Sequence, residues 1–119
     1  MKTAELSGAA LDWAVAKCEL LNGANYTLAV DTDIDGTKRV NYGGMYPEWS
    51  TDWAEGGAII EREGMQLWKG GEWCAALDQS FNPTDFQTGT TPLVAAMRCY
   101  VASKLGDEVE IPDELFNHA

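Results

Sequence analysis

The stretch from Thr91 to Gly106 begins and ends as a helix should. Thr91 offers a hydroxyl at the N-cap. Pro92 takes the first helical position, where its missing N–H costs nothing, and Gly106 stands where the chain must turn away. Leu93, Val94, Met97, Tyr100, Val101 and Leu105 recur at helical spacing and form one apolar stripe. A helix with such a stripe has to lie against other elements, so the remaining residues must supply a layer for it. With 119 residues there is room for one domain, and 45% hydrophobic content with five Trp provides the material for its core.

The other elements follow from local signals. Ser7 caps a first helix running to about Leu21, with Leu11, Ala14, Val15, Cys18 and Leu21 on its apolar face and Asn22-Gly23 ending it. Trp13 on the same Ala-rich helix reads as core. Tyr26–Asp33 and Thr37–Tyr42 form a hairpin around Asp35-Gly36, residues that tolerate positive φ. A polar, aromatic-rich connection spans Gly43–Thr51. Asp52-Trp53-Ala54 makes one helical turn, Gly56-Gly57 interrupts any longer helix, and Ala58–Glu63 forms a short helix ended by Gly64. Met65–Lys69 and Glu72–Leu77 make a second hairpin around Gly70-Gly71, with Trp68 and Trp73 as a cross-strand pair. Asp78–Thr90 has no periodicity and reads as a long functional loop. An acidic tail begins at about residue 107 and packs loosely through Val109, Ile111 and Leu115. The expected fold is therefore α+β, a small single domain over residues 1–119. Two antiparallel hairpins pack with an N-terminal and a C-terminal helix, in α-ββ-α-ββ-α order.

Charge narrows the partners. Nineteen Asp and Glu against eight Lys and Arg leave a net charge of −11. A nucleic-acid binder needs a basic footprint, and a peripheral membrane protein needs attraction to anionic lipid, so neither partner is expected. No run reaches the roughly 18 apolar residues of a membrane span. The opening Met1-Lys2-Thr3-Ala4-Glu5 has no export signature. Cys18, Cys74 and Cys99 are widely spaced in apolar surroundings and read as reduced, buried thiols.

Three segments bear a resemblance to a known family: Ser7–Lys17 (SGAALDWAVAK), Ser50–Glu63 (STDWAEGGAIIERE) and Thr91–Val109 (TPLVAAMRCYVASKLGDEV). In these the chain resembles the bacteriophage NinX family, whose function is unknown. The resemblance implies a phage gene product working in the cytoplasm of the infected bacterial host. It implies no reaction and no catalytic residues.

The residues themselves favour binding over catalysis. His118 is the only histidine and lies one residue from the end, which removes His-dependent nucleophile systems. Asp31, Asp33, Asp35 and Gly36 spell the front of a calcium loop, but its twelfth position is Tyr42 and its ninth is Arg39, so no metal and no cofactor is expected. An enzyme here would have to use carboxylates, such as Asp52 with Glu61 or Glu63, or a carboxylate-held metal. Trp49 and Trp53, with Tyr46 nearby, sit in a Gly- and Ser-rich connection where binding residues gather. Thr88, Thr90 and Thr91 deliver hydroxyls to a helix N-terminus that favours an anion. Arg62 and Arg98 are cations that could assist, and Arg98 has no acid at helical spacing.

These eight residues are the expected ligand site. The expected function is non-enzymatic binding of a small nucleotide-like ligand, sequestering a bacterial antiviral signal to counter host defence. One alternative is an acidic modulator of a host or phage protein, using Asp31-Asp33-Asp35 and the tail. The other is a carboxylate- and metal-dependent nucleotide hydrolase. A homo-oligomer is also expected, since pairing deepens the pocket of a small domain.

Overall fold

The computed structural model describes residues 1–77 and 86–116. The order is a 3₁₀ turn (Thr3–Glu5), α1 (Gly8–Leu21), β1 (Leu28–Thr32), β2 (Lys38–Tyr42), α2 (Trp53–Glu63), β3 (Gln66–Gly70), β4 (Glu72–Ala76), β5 (Gln87–Gly89), α3 (Pro92–Leu105) and a last 3₁₀ turn (Asp113–Leu115). The fold is α+β, with one two-stranded sheet, β1-β2, and one three-stranded sheet, β3-β4-β5, both antiparallel. No helix among the described residues is long and apolar enough to cross a membrane.

Helix α3 is the centre of the packing. Thr91 Oγ1 accepts from the Val94 N–H at 3.1 Å, as expected of an N-cap. The helix lies against α1, α2, the second sheet and the N-terminal 3₁₀ turn. The expected single stripe is therefore too narrow. Ala95, Ala96 and Cys99 are buried along with Leu93, Met97, Tyr100 and Val101, because a helix covered on several sides needs small residues where neighbours approach. On α1, Leu11, Ala14, Val15 and Cys18 are fully buried, whereas Leu21 is 64% exposed and leaves the expected face. The three cysteines are buried and free, and burial pushes the Cys18 thiol up to about 12 and the Cys99 thiol to about 11.

One polar network joins the three helices. The fully buried Tyr100 of α3 donates its hydroxyl to Glu19 of α1 at 2.7 Å. The same oxygen accepts from Asn22 Nδ2 at 2.7 Å and from Arg62 of α2 at 3.0 Å. Arg62 holds Glu19 through both terminal nitrogens, at 2.6 and 3.1 Å. Burial pushes the Glu19 carboxyl up, but the hydrogen bonds from Arg62 and Tyr100 outweigh it and hold the carboxyl below its ordinary value. Tyr100→Phe should lower stability by about 1–3 kcal/mol, since it strips a buried network of its shared hydroxyl. Urea unfolding should show the loss as a lower midpoint at unchanged slope.

Four local expectations are corrected. First, α2 runs unbroken through Gly56-Gly57. A Cβ on Gly56 would lie 2.3 Å from the Trp49 carbonyl oxygen and 2.6 Å from Leu93 Cδ2, so this glycine is a close-approach site rather than a break. Second, the end of the expected loop is a strand: β5 pairs with β4, and Gly89 lies flat on the first turn of α3. Residues 78–85 of that loop lie outside the described residues. Third, Trp68 and Trp73 are not cross-strand partners. The register sets Trp68 opposite Cys74 and Trp73 opposite Lys69, and adjacent pairs point to opposite faces. Trp68 meets Phe86 instead, at 5.8 Å between ring centroids.

Fourth, the tail is tied down. Val109, Ile111 and Leu115 are buried, the Met1 ammonium donates to the Val109 carbonyl at 2.9 Å, and Thr3 Oγ1 donates to the Gly106 carbonyl at 2.7 Å. The N-terminal residues thus form one side of the tail's seat, a pairing across more than a hundred residues.

Candidate functional site

A cleft of about 340 Å³ opens where the start of α1, strand β2 and the 46–51 connection meet. The hairpin carries β2 there because its tight turn is locally determined. Gly36 takes φ +88°, and Asp35 Oδ1 accepts from the Thr37 N–H at 2.9 Å. Thr37, just before β2, and Lys38, Arg39 and Val40 in it line the cleft. The 46–51 connection is held from below by Trp49, which is 8% exposed and meets the Tyr42 ring edge-on at 5.5 Å. Its Tyr46, Pro47, Glu48, Ser50 and Thr51 form the second wall, and Gly8, Ala9 and Asp12 of α1 form the third.

Asp12 is the distinctive group. It is 5% exposed, and its Oδ1 accepts from the Ser50 N–H at 2.8 Å. Burial drives its carboxyl up to about 7, the Ser50 hydrogen bonds pull the other way, and the charges of Glu48 and Glu55 add to the rise. Its burial beside open space makes this cleft the candidate site.

Two cations line the cleft. Lys38 Nζ donates to Thr32 Oγ1 at 2.7 Å and has no ion pair among the described residues. Arg39 pairs with Asp33 and lies 5.7 Å from the centre of the Tyr46 ring. Tyr46 is itself anchored, donating to Asp31 Oδ2 at 2.6 Å, and Asn41 donates to the same oxygen at 2.8 Å. These hydrogen bonds hold the Asp31 carboxyl below its ordinary value. The three hairpin carboxylates therefore each have a separate local partner. Among the described residues no group of three or more His, Cys, Asp or Glu converges to hold a metal ion.

The eight expected ligand residues are dispersed. Tyr46 lines the cleft, and none of the other seven does. Trp49 supports the cleft from the core. Trp53 is 54% exposed at the start of α2. Arg62 belongs to the helix network, and its other hydrogen bond, from Nε, goes to Glu63 at 2.9 Å. Arg98 reaches the Thr88 carbonyl through Nη1 and the Leu6 carbonyl through Nε, both at 2.8 Å, and burial lowers its pKa. Thr88 lies in β5, Thr90 follows it, and Thr91 uses its hydroxyl on the helix cap.

Asp12, Ser50 and Lys38 escaped the sequence reading. A weak signal existed: Asp12 is the one acid in the Ala9–Ala16 run, and Lys38-Arg39 is the one adjacent basic pair in the chain.

A search of the curated proteins returned no match. The family model described as Bacteriophage P22, NinX matches residues 2–104. Two of the three segments that carry the resemblance lie wholly within that match, and the third begins in it. The chain therefore belongs to the bacteriophage NinX family.

Proposed function

We propose that this phage accessory protein binds, without transforming, a small nucleotide-like anion in the cleft between α1, β2 and the 46–51 connection. In the cytoplasm of the infected bacterium it would sequester a nucleotide used as an antiviral signal. The observation that carries the reading is the placement of Lys38 and Arg39 on one cleft of a chain with net charge −11. Arg62 and Arg98 hold protein groups and line no part of the cleft, whereas Lys38, which has no ion pair among the described residues, and the Asp33-paired Arg39 adjoin open space large enough for a ligand. Tyr46 adds an aromatic surface beside them. The hairpin carboxylates are engaged with Arg39, Asn41, Tyr46 and Thr37, which supports a built cleft wall more than a free acidic docking edge.

Thermal-shift measurements against cyclic and ADP-ribose-like nucleotides test this. A ligand at about a hundred times its Kd should add close to 3 kcal/mol and raise Tm by several degrees. The double variant Lys38→Ala/Arg39→Ala should lose the shift. Chromatography of the nucleotide after incubation should return it unchanged, whereas recovered cleavage products would favour the hydrolase alternative. No shift across the panel, with ligand far above protein, would remove the reading.

A further inference from the structure

We propose, resting on the nucleotide reading of the cleft, that Asp12 reads the base: its buried carboxylate accepts from a base edge with two adjacent N–H donors, the guanine pattern, while Lys38 takes the phosphate. The cleft is lined by groups of both signs. Asp12 is 5% exposed, and the carboxylates of Glu48 and of Glu55 from α2 act on it. Lys38 and Arg39 of β2 line the same cleft, with Arg39 paired to Asp33 and the Tyr46 hydroxyl committed to Asp31. A simple anion would be repelled by Asp12 and Glu48, and a simple cation by Lys38. A molecule with N–H donors at one end and a phosphate at the other satisfies both.

Asp12 retains capacity for such donors. A carboxylate offers about four acceptor positions, and Ser50, through its backbone N–H and its hydroxyl, takes two and leaves two. Guanine presents a ring N–H beside an exocyclic amine, so both can donate to one carboxylate. Adenine sets an acceptor nitrogen beside its amine, and that lone pair would face the carboxylate unpaired. Leaving a buried polar group unpaired is the most discriminating error a site can impose. The carboxyl must be ionised to accept both donors. Because burial holds it near 7, guanine binding should release a proton and strengthen as pH rises.

Calorimetry on the full chain with 3′,5′-cyclic GMP, cyclic AMP and cyclic IMP tests this at pH 6 and pH 8. Their phosphodiesters do not titrate in that range, so any pH dependence belongs to the protein. Cyclic GMP should bind about tenfold or more tightly than cyclic AMP at pH 8. Cyclic IMP, which lacks the exocyclic amine, should fall between them. Affinity for cyclic GMP should drop about tenfold at pH 6. Asp12→Asn should abolish both the preference and the pH dependence, whereas Lys38→Ala should weaken all three nucleotides alike and leave the preference intact.

Equal binding of cyclic GMP and cyclic AMP, tighter binding of cyclic AMP, or a preference that survives in Asp12→Asn overturns the assignment of Asp12 while the nucleotide cleft stands. Absence of binding by all three, with the thermal-shift panel also silent, removes the cleft reading and this inference together. Asp12→Asn should fold at least as well as the natural chain at pH 8, so lost discrimination would not reflect lost structure.

Discussion

Gly56→Ala should lower the melting temperature by on the order of 10 °C, while Gly57→Ala, one residue on, should raise it slightly. Both positions are interior to α2, and helix propensity alone predicts a gain of about 0.5–1 kcal/mol for each. Their surroundings separate them. At Gly57 the nearest atom to a new Cβ is Trp53 Cε3 at 3.6 Å, an ordinary contact. At Gly56 the new Cβ would lie 2.3 Å from the Trp49 carbonyl oxygen, a backbone atom that cannot rotate away, and 2.6 Å from Leu93. Relief would require α2 to move off both α3 and the connection that walls the cleft. Overpacking of this kind costs about 3 kcal/mol or more, which for a domain of this size is on the order of 10 °C. Paired thermal melts of the two variants check this. Equal effects at the two sites would mean that propensity, not packing, governs the helix.

Asp12→Asn should stabilise the protein at pH 8 and leave it nearly unchanged at pH 4. The Asp12 carboxyl titrates near 3.8 when unfolded and near 7 when folded, so the folded state holds the proton more tightly. The stability contributed by the neutral form is fully present below the unfolded value and is lost as pH rises through the folded value. The displacement of its titration sets a ceiling of roughly 4 kcal/mol, and about 2–3 kcal/mol is the expected gain once local relaxation softens the burial cost. Asn keeps an oxygen for the Ser50 N–H and carries no charge to desolvate. Glu19 and Asp31, whose carboxyls are held low, work in the opposite direction, losing stability as pH falls. Urea titrations of both proteins from pH 4 to pH 8 isolate Asp12 as the difference between the two curves. A difference that does not grow with pH would show that this carboxyl is ordinary. A buried acid that weakens the fold at neutral pH is the kind of group that a binding function retains at the expense of stability.

Features set by neighbours in the chain were legible. The Thr91 cap, Pro92 and the terminal Gly106 mark α3 with no reference to the rest of the protein. The turn at Asp35-Gly36 is likewise local, since the positive φ and the side-chain bond to Thr37 lie within three residues. Local reasoning failed where a partner is distant in sequence. Arg98 has no acid at helical spacing and so reads as a free cation, but its partners are backbone carbonyls at Leu6 and Thr88. Side-chain spacing cannot reveal a carbonyl 92 residues away. The Gly-Gly pair reads as a break because propensity is local, whereas the close approach of Trp49 and Leu93 to Gly56 is not.

The cleft depended on tertiary structure most of all. Its walls come from Gly8–Asp12, Thr37–Val40 and Tyr46–Thr51, segments that no period or motif connects. By itself the sequence determined the α+β class, the ends of α3, the first turn and the family resemblance, because hydrophobic period, capping and φ preference act within a few residues. Only the tertiary structure decided that Asp12 is buried beside Ser50, that Lys38 and Arg39 line the same cleft, and that Arg62 and Arg98 are engaged elsewhere. Burial and long-range pairing set the electrostatics of a carboxyl, and both are properties of the assembled core.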